Sequence, residues 1–126
     1  MQWQTVTKYW LLSSLVVACA TLPVSAKTCE GRMPHWTASN TVPTGTRLQP
    51  VNTVEVRADG RLEWNGKEVS EGDVRRFLTI IPTMTSSNIT VLKARPTAKC
   101  AAVQRLRKTI EKALKCSATT CVEVNG

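Results

Sequence analysis

The stretch Val54-Glu-Val-Arg-Ala-Asp-Gly-Arg-Leu-Glu-Trp-Asn-Gly-Lys-Glu-Val69 decides the fold of this chain. Val54, Val56, Leu62 and Trp64 alternate with Glu55, Arg57, Arg61 and Glu63. Strict alternation puts one set on each face of a pleated strand. Asp59-Gly60 sits between the two runs and predicts a type I′ hairpin turn. Asn65-Gly66 turns the chain again into Lys67-Glu68-Val69.

Downstream, Ser70 reads as a helix N-cap, with Glu71 and Asp73 in the first turn, where carboxylates favour the helix dipole. Val74, Phe77, Leu78 and Ile81 fall on one helical face, and Pro82 stops the helix. Residues 83–87 are a polar loop. Asn88-Ile89-Thr90-Val91-Leu92-Lys93-Ala94 is rich in strand formers, and its Asn88-Ile89-Thr90 sequon is read as chance. Residues 98–115 contain no Gly or Pro. Val103, Leu106, Ile110, Ala113 and Leu114 make one face of this helix. Arg105, Lys108, Lys112 and Lys115 make another. After a turn, Cys121-Val122-Glu123-Val124 is a closing strand. The order β-β-α-β-α-β predicts an α+β two-layer sandwich over residues 51–126, with both helices on one face of the sheet.

Upstream, residues 27–50 hold Pro34, Pro43 and Pro50 and show no period, so they read as an extended arm. In the arm, His35-Trp36 reads as an aromatic anchor on the domain rather than a ligand site. Residues 1–26 carry Lys8, an apolar run from Tyr9 to Ala20, Pro23 and the small-residue end Val24-Ser25-Ala26. This is the pattern of a signal peptide cleaved after Ala26. Two weaker readings are a lipid on Cys19, from the box Val16-Val17-Ala18-Cys19, and an uncleaved membrane anchor.

The 126 residues exclude a TIM barrel or a full dinucleotide-binding domain, and one His leaves little material for a His-based triad or a His-rich metal site. No nucleophile–base pair and no phosphate loop is legible, so no enzyme, cofactor, metal or small-molecule substrate is expected. Without the signal peptide the chain has 16 cations against 9 anions, a net charge of +7. That charge favours anionic partners, and the stripe of Arg105, Lys108, Lys112 and Lys115 is the candidate contact, against the alternative of a merely solvated helix face. Export argues against nucleic acid.

The exported chain keeps Cys29, Cys100, Cys116 and Cys121, an even count that predicts two disulfides in an oxidising compartment. Cys100 and Cys116 bracket one helix and lie roughly 24 Å apart, beyond disulfide reach. Cys121 follows the helix end, close to Cys116. Cys116–Cys121 with Cys29–Cys100 is therefore expected. A link from Cys29 to either of the others would dock the arm at the far end of the helix.

The quoted hairpin, the short helix, Ile89-Thr-Val-Leu-Lys-Ala-Arg-Pro96, the long helix and Val122-Glu-Val124 together resemble the periplasmic domain of the ExbD/TolR family of biopolymer-transport proteins. The resemblance spans about 76 of 126 residues. It implies a periplasmic, non-enzymatic interaction domain that contacts peptidoglycan or an envelope protein and forms a homodimer. The family's transmembrane Asp has no counterpart, because residues 1–26 contain no acidic side chain. Arg95 stands where the family often has Asp, and the four Cys are not a family hallmark. A small disulfide-stabilised secreted inhibitor or toxin-like protein is the alternative reading.

Overall fold

The computed structural model describes Cys29 and residues 31–125. The predicted signal peptide, its cleavage point and Cys19 lie outside the described residues. The elements are β1 (Thr37–Ser39), β2 (Val51–Val56), β3 (Leu62–Trp64), β4 (Lys67–Val69), α1 (Glu71–Ile80), a 3-10 turn (Ile81–Thr83), β5 (Ile89–Ala94), α2 (Cys100–Leu114) and β6 (Cys121–Asn125). They form one sheet of order β1-β6-β5-β2-β3-β4. β2, β3 and β4 are an antiparallel meander, whereas β2–β5, β5–β6 and β6–β1 are parallel.

The α+β class and the two helices follow the sequence pattern. The turn chemistry differs from it in one respect. Gly60 has φ +85° while Asp59 stays outside the left-handed region. Gly60 N–H donates to the Arg57 carbonyl (3.0 Å) and Arg57 N–H to the Arg61 carbonyl (2.9 Å). This is a three-residue loop closed by a left-handed glycine, not a type I′ turn. The type I′ geometry belongs instead to Asn65-Gly66, with φ values of 50° and 85°. Asn65 also accepts the Thr53 N–H on its Oδ1 at 2.8 Å, so it clamps the tip of the β3–β4 hairpin to β2.

α1 begins as the sequence predicts. Ser70 Oγ accepts the Asp73 N–H (3.0 Å), and the Asp73 carboxylate accepts the Ser70 N–H (3.3 Å). The Ser70 backbone N–H and hydroxyl, helped by Arg76, hold the Asp73 carboxyl below the usual carboxylate range. α1 ends at Ile80, with Pro82 inside the following 3-10 turn.

Val54, Val56 and Leu92 of the sheet, Val74 and Leu78 of α1, and Val103, Leu106 and Ile110 of α2 form the main core between sheet and helices. Leu78, Leu92 and Ile110 are fully buried. Each contributes about 1.5–3 kcal/mol of apolar burial. Phe77 packs on Trp64 with ring centroids 5.1 Å apart. A second apolar set, Val91, Val122 and Val124, lies on the opposite face of the sheet.

The arm is more than a linker. Its residues Thr37–Ser39 extend the sheet as β1, with Thr37 opposite Val122 and Ser39 opposite Val124. Trp36 joins the main core at 5% exposure. β1 and β2 point the same way with β6 and β5 between them, so residues 40–50 must return along the sheet before β2 starts. The right-handed rule for parallel crossovers assigns that return to the face opposite the helices. Gly45 meets that path closely, since a Cβ there would lie 3.1 Å from the Val51 nitrogen.

Candidate functional site

α2 places the predicted contact residues. Its 15 residues direct Val103, Leu106 and Ile110 into the core. At 100° per residue, Arg105, Lys108, Lys112 and Lys115 fall within one outward-facing quadrant. All four are exposed. They are not equivalent. Arg105 Nε donates to Glu71 Oε1 at 3.0 Å, which ties the first half of α2 to the start of α1. Among the described residues Lys108, Lys112 and Lys115 make no ion pair. Lys112 also borders a groove between the helices, of about 450 Å3, together with Arg75, Thr79 and Thr109. Lys115 caps the helix with φ 47° and ψ 63°, a left-handed conformation normally taken by glycine.

A second carboxylate of this region, on α2 itself, is also engaged. Glu111 accepts the Trp36 indole N–H at 2.8 Å on one oxygen and bonds His35 Nε2 at 2.6 Å on the other. Partial burial pushes the Glu111 carboxyl up, and the bonds from Trp36 and His35 outweigh it, so the carboxyl lies below its ordinary value. His35-Trp36 is thus the anchor of the arm that the sequence suggested, and Glu111 is its seat. Glu111 itself is not legible as that seat, because on a helical wheel it is one more polar residue of the outer face.

A second tie runs inside. Arg107, on the inner side of α2, pairs with Glu123 of β6 at 2.7 Å, and both side chains are less than 5% exposed. Arg107 also donates to the Cys29 carbonyl at 2.8 Å. The disulfides are Cys29–Cys100 and Cys116–Cys121, with Cα separations of 5.2 Å and 5.4 Å. This is the connectivity expected from helix length. Cys29, Arg107 and Glu123 therefore join the arm, α2 and β6 at one point.

Other acids are taken up in structural pairs. Glu63 faces Arg57 at 3.7 Å, but Glu55 binds Arg95 at 2.6 Å instead of a hairpin arginine. Arg95, noted as a departure at the strand end, thus closes β5 onto β2. Asn88 is buried and its Nδ2 donates to the Ser86 carbonyl, which fits the reading of its sequon as chance. Among the described residues no helix is long and apolar enough to cross a membrane. No family model, curated protein or solved structure matches the chain.

Proposed function

We propose that this chain is an exported, non-enzymatic interaction domain of the ExbD/TolR type, docking on an anionic component of the cell envelope through the outer face of α2. The observation that carries the reading is the imbalance on that face. Lys108, Lys112 and Lys115 are without a counter-ion among the described residues, while Glu111 is committed to the arm and Glu71 to Arg105. Unneutralised cations on a rigid helix attract an anionic surface and orient the approach. The formal net charge of +8 on the full chain acts in the same direction. The two disulfides suit an oxidising compartment, as export requires. Glu55, Glu63, Glu68, Glu71 and Asp73, the carboxylates a hydrolytic site would draw on, each face an arginine.

Co-sedimentation with purified peptidoglycan tests this reading. The parent protein binds at low salt, and binding falls steeply by about 0.5 M salt, where the screening length is only a few ångströms. Lys108→Glu with Lys112→Glu lowers affinity by about tenfold or more. Undiminished binding by that double variant would leave the lysines as an ordinary solvated helix face.

A further inference from the structure

Between the β2–β3 loop, the edge strand β4 and the first turns of both helices lies a cleft of about 210 Å3. Leu62 and Leu106 belong to its apolar lining. Arg61, Glu68, Glu71 and Arg105 supply its charge. The four charges come from different parts of the chain, and the fold alone assembles them. They occur as two opposite-sign pairs: Arg61 with Glu68 at 3.8 Å and Arg105 with Glu71 at 3.0 Å.

Several features of this arrangement point to a ligand. The Arg61–Glu68 pair is too long for a hydrogen bond, so donors and acceptors are left over. Arg61 also touches Asp59 at 3.3 Å and Glu71 also faces Arg75 at 4.0 Å, so each pairing is shared with a neighbour. Exposed pairs of this kind are worth about 0–1 kcal/mol, so exchanging them for a ligand costs little. The two signs also select the ligand. A simple anion meets Glu68 and Glu71 along with the arginines, and a simple cation meets the arginines along with the glutamates. Only a molecule carrying both charges satisfies all four. The volume lies below the range typical of drug-sized ligands, which limits the guest to a small molecule with a short apolar group.

We propose that this cleft binds a small zwitterion of amino-acid or dipeptide size. Its carboxylate sits on Arg61 and Arg105, where guanidinium forks can each give two parallel bonds. Its ammonium sits on Glu68 and Glu71, and a short aliphatic side chain rests on Leu62 and Leu106. No small-molecule partner is legible in the sequence, because the four charges are spread from residue 61 to residue 105. The proposal does not rest on the lysine-face reading, and either can fail alone.

Amide chemical-shift titration of the full exported protein with three probes decides the matter. The probes are alanyl-alanine, its N-acetyl derivative and its C-terminal amide. Alanyl-alanine shifts amides in residues 60–62, 68–71 and 102–106 saturably, while each blocked derivative binds at least about tenfold more weakly. Arg105→Gln and Glu68→Gln each weaken alanyl-alanine by about tenfold as well. Glu68 is exposed on an edge strand, so the second variant keeps the test open should the first perturb folding. No saturable shift up to about 20 mM overturns the proposal, as does a blocked derivative that binds as well as the zwitterion.

Discussion

Lys115 shows what a single backbone angle can contribute. It closes α2 in the left-handed region, with its N–H on the Glu111 carbonyl at 2.9 Å. A side chain with a Cβ costs about 1–2 kcal/mol there, and glycine avoids that cost. The chain nevertheless carries lysine, at the end of the cationic stripe. Lys115→Gly is therefore expected to raise stability by roughly 1 kcal/mol in urea unfolding while weakening the proposed salt-dependent attachment to peptidoglycan. A variant that gains stability and binds undiminished would separate Lys115 from the contact face. Asn65 is the contrasting case. It also takes positive φ, but its amide is used, accepting Thr53 N–H and donating to Asn52 at 3.1 Å.

Between elements, the least legible contact is the one that recruits β1. The helices announce themselves by period, and the hairpins by Asp-Gly and Asn-Gly. Thr37-Ala38-Ser39 offers no alternation and no strand-forming aromatic or aliphatic residue, so nothing local marks it as a strand. Its pairing is imposed from outside: Trp36 enters the core just before it, and Glu111 holds Trp36 and His35 from α2. Arg107 and Glu123 were hidden for a related reason. Each is a charge inside an otherwise apolar pattern, and only the packed partner explains it. Breaking that buried pair by removing one member costs about 3–5 kcal/mol. The Glu111 seat makes a pH-dependent prediction. Its carboxyl titrates below its ordinary value in the fold. Its stabilising contribution is complete above the ordinary glutamate value and is lost as pH falls through the lowered one. Glu111→Gln is thus less stable than the parent by roughly 1 kcal/mol at neutral pH, and the gap narrows on acidification. Urea midpoints measured across that range check it, and a gap independent of pH would detach Glu111 from the arm's stability.

Across the whole molecule, the two disulfides differ in reach. Cys29–Cys100 spans 71 residues and Cys116–Cys121 only 5. On the chain-entropy relation the first restrains the unfolded chain by about 4 kcal/mol and the second by about 2 kcal/mol. Cys29→Ser with Cys100→Ser should therefore lower the melting temperature about twice as far as Cys116→Ser with Cys121→Ser. Equal losses would show that the arm adds little to global stability. The position of β6 has a consequence of another kind. β1 has one neighbour in the sheet, and that neighbour is β6, whose residues are made long after those of β1. A ribosome delivers the chain in order, so the arm emerges with nothing to pair with. Cys100 and α2 follow, and β6 fills the slot between β1 and β5 only at the end. The sheet therefore closes once, when the strand made last slides between two that have been waiting.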